Sequence, residues 1–187
     1  ASLITSRHIL HGYNVTYKVV NSANYGVPQT RKRFICVGVK KELPKFEFPL
    51  ETHCDPEKKQ QGKSNWVTCG DVINDFDNIN EEELEQKPGS KHHSLMKDIP
   101  PGENYLFYTE KKGHPKPLFE WKSRYWTFLL KLTPDRPSWT IQASFSNNQG
   151  PFHWKNRFLR IEEIKRIQTI DDNYKLEGNF KEQWRQV

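Results

Sequence analysis

Apolar and polar positions alternate with different periods along this chain, and the changes of period mark its elements. Over residues 1–12, Leu3, Ile4, Ile9 and Leu10 are the apolar positions of a helical stretch that Gly12 is placed to terminate. Tyr13 to Val20 alternates and is rich in β-branched residues, which predicts a strand. A turn-prone stretch from Asn21 to Pro28 leads to Phe34–Val39, a short and nearly all-apolar run. Such runs belong to strands buried on both faces, as in the sheet of an α/β domain. Helix, strand, loop and buried strand together predict the edge of a larger α/β sheet over residues 1–48.

The pattern changes near Lys40. Prolines at 44, 49 and 56 and a polar run from Asp55 to Ser64 predict a solvated connection. Val72–Phe76 and Glu81–Leu84 read as short helices, and Pro100-Pro101-Gly102 as a turn. Tyr125–Leu132 and Trp139–Ala143 read as strands separated by Thr133–Pro137. Residues 49–155 are thus expected to form a small, loop-rich, mostly β region. From Leu159 the period is helical again, with Ile161, Ile164 and Ile167 among charged residues, and Phe180–Val187 is a second amphipathic stretch. Residues 156–187 form a helical segment expected to return toward the first domain.

Composition narrows the function classes. Only 34% of the 187 residues are hydrophobic, but 6 Trp, 7 Tyr and 11 Phe offset the deficit by the area each buries. The net charge of +6 favours a polyanionic partner, against the plainer reading of a soluble basic surface. Cys36, Cys54 and Cys69 form no CxxC pair, so neither a disulfide framework nor a zinc site follows, and no metal is expected. No run approaches the roughly 20 apolar residues of a membrane span, and the start lacks the features of a signal peptide. A cytoplasmic setting, bacterial or phage, is expected, with no membrane partner.

Candidate chemistry concentrates at Gln29-x-Arg31-x-Arg33, between a turn and a strand. A glutamine and two arginines there make a fan of donors suited to phosphate or base oxygens. By spacing alone they fit a solvated strand edge equally well. Trp121–Trp126 interleaves rings with Lys122, Ser123 and Arg124, a pattern for phosphates and groove edges, or a core strand with snorkelling cations. Asn147 and Asn148 offer amides that could pair with adenine, or simply make a turn.

Taken with its flanks, Ala23-Asn24-Tyr25-Gly26-Val27-Pro28 and Phe34–Val39, the first motif resembles the block Asn-x-x-x-Tyr-Gly-Val-Pro-Gln-x-Arg-x-Arg of the DNA cytosine-C5 methyltransferases. Arg157-Phe158-Leu159 and the helix after it resemble that family's next block, although Arg160 stands where Thr is usual and the proline before Asp172 is missing. Trp66–Ile73 is similar to the stretch that opens the target-recognition domain, and Pro137–Ile141 to its Pro-x-x-Thr-Ile segment.

The resemblance implies a Rossmann-like methyltransferase sheet edge followed by a target-recognition domain. It implies that Arg31 and Arg33 hold a flipped cytosine, that Gln29 supports that pocket, and that Thr140 contacts the DNA backbone nearby. Lys122, Ser123, Arg124, Gln142, Asn147 and Asn148 are the candidate contacts for sequence reading. Arg157, Glu163 and Arg166 are expected to be structural.

The Pro-Cys nucleophile, the Glu-Asn-Val segment and the Phe-x-Gly-x-Gly loop for S-adenosylmethionine do not occur in these residues. The chain is therefore expected to bind double-stranded DNA without binding S-adenosylmethionine or transferring a methyl group by itself. It would supply target recognition and part of the base pocket to an N-terminal methyltransferase domain, in the same chain or a separate subunit. A subunit of a naturally split enzyme, a non-enzymatic DNA-binding module and a relative acting on RNA remain alternatives.

Overall fold

A computed structural model describes residues 12–76, 89, 91–144 and 146–187. The helix expected over 1–12, apart from Gly12, and the one at Glu81–Leu84 lie outside the described residues. Gly12 adopts φ +82°, the left-handed conformation suited to a terminating glycine.

The first unit is a two-stranded antiparallel ribbon. Strand β1 (Tyr13–Asn21) pairs with β3 (Lys32–Lys40) in continuous register, from Tyr13 opposite Lys40 to Asn21 opposite Lys32. β-Branched residues on both strands, including Val15, Thr16, Ile35 and Val37, favour the extended backbone. The connection is a 3-10 turn at Ser22–Tyr25, closed by Gly26 at φ +86°. A Cβ on Gly26 would stand 2.9 Å from the His53 ring, so this glycine serves both conformation and packing.

The expectation that Phe34–Val39 is buried on both faces is corrected here. Phe34 and Ile35 are 45% and 41% exposed, and Tyr17 and Val19 on β1 are 57% and 60% exposed. Burial on both faces needs a covering layer on each side. Among the described residues, β3 has one partner strand and no helix against it.

Residues 41–66 are largely exposed, as expected of a solvated connection, and they also fold back on the ribbon. Thr16 Oγ1 donates to the Phe46 carbonyl, Tyr25 Oη to Pro49, and the Thr52 amide to Asn24. Glu51 binds Lys18 and Lys63 at 3.0 and 3.1 Å. Strand β4 (His53–Cys54) then pairs in parallel with β5 (Ser64–Asn65).

Helix α1 (Cys69–Ile73) begins earlier than its apolar residues suggest. Thr68 Oγ1 accepts from the Asp71 amide, and Asp71 accepts from the Thr68 amide, so both sides of a capping box are present. The chain continues as a 3-10 turn through Phe76. Near the C-terminus stand α2 (Ile161–Ile167) and α3 (Phe180–Gln186), the latter capped by Asn179 and Glu182. Ile73, Leu132, Ile141, Ile161, Ile164, Ile167 and Trp184 form one core between these helices.

A second core gathers Met96, Ile99, Tyr105, Tyr108, Leu129, Phe152 and Phe158. Around it the strand expected at Tyr125–Leu132 does not form. Residues 123–125 make a 3-10 turn, Leu129 has φ +52°, and only isolated bridges join Phe128 to Gln149 and Lys131 to Phe152. The backbone bonds go to two different segments. The Leu129 amide donates to Asn148 and the Leu132 amide to Phe152, whereas the Lys131 amide donates to Glu103. A regular ladder cannot serve both. The strand expected at Trp139–Ala143 shrinks to β6 (Ser138–Trp139), parallel to β2 (Gln29–Thr30).

Candidate nucleic-acid interface

Strands β2 and β6 are two residues each, yet they join the two motif segments singled out from the sequence. Gln29 lies opposite Ser138 and Thr30 opposite Trp139. The Ser138 amide donates to the Pro28 carbonyl at 2.9 Å, and Thr30 Oγ1 donates to the Ser138 carbonyl at 3.1 Å. Thr140 Oγ1 donates to the Thr30 carbonyl at 3.1 Å, across 110 residues of chain. Gln29, Arg31 and Thr140 are thereby brought to one seam. The Thr140 hydroxyl proton is already engaged there, which leaves its lone pairs and its backbone for any ligand.

The seam is held from the ribbon side as well. The Arg31 amide donates to Asn21 Oδ1 and Ser22 Oγ at 3.1 and 3.2 Å, and Ser22 Oγ donates to the Gln29 carbonyl. Gln29 is 2% exposed, and its Nε2 has no hydrogen-bond partner. A buried amide left without a partner costs on the order of 1–3 kcal/mol, so this is an unspent donor. Arg31 is half-buried and Arg33 exposed. Arg33 Nη1 donates to the Lys32 carbonyl at 2.8 Å, and no carboxylate among the described residues pairs with either arginine.

Beside β1 and β3 lies a cleft of about 400 Å³, lined by Asn21, Lys32, Glu51, His53, Lys58 and Trp66, among others. Of its two carboxylates, Glu51 is held down to about 2 by the hydrogen bonds from Lys18 and Lys63, and Asp55 accepts from the Glu57 amide. Lys32 and Lys58 have no acidic partner among the described residues, and the three lysines of the cleft outnumber its two carboxylates. His53 was not singled out from the sequence, and Asn24 and Trp66 entered only as motif positions and not as site residues. Trp66 Nε1 donates to Asn24 Oδ1 at 2.9 Å over 42 residues, and no local pattern announces such a bond.

The candidate contacts farther along the chain fall into two sets. Lys122 and Asn148 line one groove of about 560 Å³, with Ser123 and Arg124 in the adjoining 3-10 turn. Trp121, Tyr125 and Trp126 are 49%, 40% and 42% exposed, which argues against the core-strand alternative for this stretch. Arg124 stacks over Tyr125 at 4.7 Å from the ring centroid. Asn147 is exposed. Gln142 is exposed and lines neither cavity, and its carbonyl accepts from Trp184 Nε1 at 2.8 Å.

Arg157, Glu163 and Arg166 are occupied by protein partners. Arg157 forks onto Glu163 with bonds of 2.8 and 2.6 Å, both side chains being almost wholly buried. Glu163 also accepts from the Arg160 amide at 2.8 Å, so it caps α2 although Arg160 replaces a capping threonine. Arg166 binds Asp75 and Asp172 and lies over Phe76 at 4.4 Å. His153, 3.6 Å from Glu163, is nonetheless pushed down to about 2 by burial and by Arg157, Lys155 and Lys131. Its neutral form follows from burial first, and Arg157, which already claims the carboxylate, adds to it. Burial also pushes the Cys69 thiol up to about 12. No cluster of metal-ligating side chains occurs among the described residues, and no helix among them is long and apolar enough to cross a membrane.

Comparison with known proteins points in one direction. The family model of the C-5 cytosine-specific DNA methylases matches residues 4–187. The chain is 37% identical over 190 residues to the type II methyltransferase M.SacI of Streptomyces achromogenes, covering 94% of this chain and 48% of that protein. It is 30% identical over 172 residues to type II methyltransferase M.BbvI of Brevibacillus brevis, covering 90% and 42% respectively. It is 38% identical over 152 residues to type II methyltransferase M.MthTI of Methanothermobacter thermautotrophicus, covering 80% and 37%. The chain thus spans half or less of the length of these curated relatives.

Proposed function

The chain belongs to the C-5 cytosine-specific DNA methylase family, and from that premise we propose that it supplies target-sequence recognition and part of the flipped-cytosine pocket of a DNA (cytosine-5-)-methyltransferase. The observation that carries this reading is the seam of Gln29–Thr30 against Ser138–Trp139, with Thr140 bonded to Thr30. It holds the unspent Gln29 donor and Arg31 beside the Thr140 loop, as a pocket for an extruded base would require. Arg31 and Arg33 offer charged donors to the cytosine and the adjoining phosphates. Lys122, Ser123, Arg124, Gln142, Asn147 and Asn148 contact the duplex from the recognition side. Arg157, Glu163 and Arg166 act through the packing of α2.

In this reading residues 1–48 form the end of a Rossmann-like catalytic domain, 49–155 the target-recognition domain, and 156–187 a segment returning toward the first. The exposed apolar ribbon face at Tyr17, Val19 and Phe34 is the natural seat for the remaining N-terminal part of the methyltransferase. That part, in the same chain or a separate subunit, carries the Pro-Cys nucleophile. Cys69 is ill suited to nucleophilic attack, because the thiolate is the reactive form and burial suppresses it. Extruding the cytosine costs a few kcal/mol, which contacts from both parts offset.

We infer that S-adenosylmethionine binds elsewhere, because lysines outnumber carboxylates along the smaller cleft. Its sulfonium would face Lys32, Lys58 and Lys63 in the smaller cleft, whose Glu51 is already bound by two lysines and whose Asp55 caps the turn at Pro56–Lys58. The larger groove carries one carboxylate, Glu120, beside Lys122. Cofactor binding is therefore assigned to the N-terminal part. A restriction-modification system is the setting proposed, by analogy with the type II relatives.

The test is direct. The chain is incubated with duplex DNA and radiolabelled S-adenosylmethionine, alone and with the N-terminal half of a close relative. Binding that weakens with salt, no transfer alone, and transfer in the mixture are expected. Methyl transfer by the chain alone would overturn the division of labour. Sequence-specific binding that no N-terminal half converts into transfer would favour a stand-alone DNA-binding module.

A further inference from the structure

The larger groove has a chemistry of its own, and none of its lining residues belongs to β2 or β6. Its walls are rings, with Tyr105, Phe119, Tyr125 and Phe128 lining it beside the amides of Asn148 and Gln149. Tyr105, Phe119 and Phe128 meet edge-to-face with centroids 5.6 to 6.0 Å apart, which makes a firm floor.

The rim is fixed as firmly. Tyr105 Oη donates to the Lys122 carbonyl and accepts from the Lys122 amide, both at 2.8 Å. Asn104 Nδ2 donates to the Trp126 carbonyl at 2.6 Å. Both ends of residues 122–126 are therefore anchored, yet Arg124, Tyr125 and Trp126 remain exposed. Trp121, Tyr125 and Trp126 stay 40% to 49% exposed, although burying them would be favourable. Cations stand against the rings, with Lys111 Nζ 4.2 Å from the Trp121 centroid and Arg124 over Tyr125. Asn148 lines the groove, and its Oδ1, closed off from solvent, has no hydrogen-bond partner.

Exposed rings among cations, with an unpaired amide oxygen just beneath the groove wall, match one class of ligand. A nucleobase offers a flat π-face for stacking and a donor edge for an amide, and its strand offers phosphates for the cations. We propose that this groove holds one unpaired nucleobase of the bound DNA, stacked on Tyr125 and read at its polar edge by Asn148. Lys122 and Arg124 hold the flanking phosphates. This rests on the reading that residues 49–155 face DNA, and adds to it a second base-binding site distinct from the Gln29–Thr140 seam.

The experiment measures binding of the 187-residue chain to two short duplexes by fluorescence anisotropy. One carries a single unpaired 2-aminopurine, and the other has the same base paired with thymine. The unpaired form should bind about tenfold more tightly, and its fluorescence should fall as the base stacks. Tyr125→Ala should abolish that preference and Tyr125→Phe should keep it. Asn148→Ala should lower it with the ring intact, which gives an answer even if Tyr125→Ala loses its native circular dichroism. Equal, salt-dependent binding of both duplexes by the parent chain would overturn the groove and leave the DNA reading standing. So would an undiminished preference in Tyr125→Ala and Asn148→Ala. No binding to either duplex would overturn both.

Discussion

At the scale of single residues, identity and role separate cleanly for the arginines. Arg31, Arg33, Arg157 and Arg166 are the same side chain, and what distinguishes them is whether a carboxylate waits in the fold. Arg157 and Arg166 find Glu163 and the pair Asp75 and Asp172, while Arg31 and Arg33 find none among the described residues. Glu163→Gln leaves a buried guanidinium without its counter-charge. It should cost about 3–5 kcal/mol of stability, measured by urea unfolding against the parent chain. His153 gives a pH signature. Its ordinary value of 6.5 applies to the unfolded chain, whereas burial and then Arg157 hold the folded one near 2. Between those values the unfolded chain carries a proton that the folded chain refuses. The stability that His153 contributes is thus full above pH 6.5 and drains away as pH falls below it. His153→Gln should flatten the fall in unfolding free energy between pH 6.5 and 4. A slope identical to that of the parent would remove His153 from the acid response.

Elements show where local pattern suffices and where it fails. Helix α2 is legible in the period of the isoleucines at 161, 164 and 167, whereas the Thr68–Asp71 capping box starts α1 ahead of the Val72–Phe76 stretch that its apolar residues predict. Tyr125–Leu132 has the composition of a strand but not the surroundings of one. Its amides are drawn to Glu103 on one side and to Asn148 and Phe152 on the other, and pattern cannot express two competing partners. Phe34–Val39 is the converse case, a strand in the right place whose burial depends on a layer not present among the described residues. Short elements also rely on close approach. The Cys69 and Gly70 amides, at the start of α1, donate to the Arg136 and Pro134 carbonyls at 2.9 Å, and a Cβ on Gly70 would stand 2.8 Å from Pro134 O. Gly70→Ala should push α1 off residues 134–136 and cost about 1–3 kcal/mol, visible as a lower Tm. An unchanged Tm would mean that the contact is loose enough to give way freely.

For the whole molecule, the excess of positive charge sets the behaviour with a polyanion. Log affinity for duplex DNA should fall linearly with log salt, by about 0.9 per phosphate neutralised. Arg33→Ala should make that slope shallower by about 1 if the exposed guanidinium holds a phosphate, and an unchanged slope would place it elsewhere. The sequence by itself determined the family and the motif positions from which the candidate site residues were drawn. Motifs such as Tyr25-Gly26-Val27-Pro28-Gln29 are local strings, and helix caps and periods act over a few residues. The tertiary structure alone decided which of those residues meet. Thr140 reaches Thr30 across 110 residues, and Trp66 reaches Asn24 across 42. It also decided that Gln29 keeps an unspent donor and that the rings of residues 121–126 face solvent. The physical reason is the same in each case. Burial, pairing and desolvation belong to a residue's neighbours in space, and a one-dimensional pattern records only its neighbours along the chain.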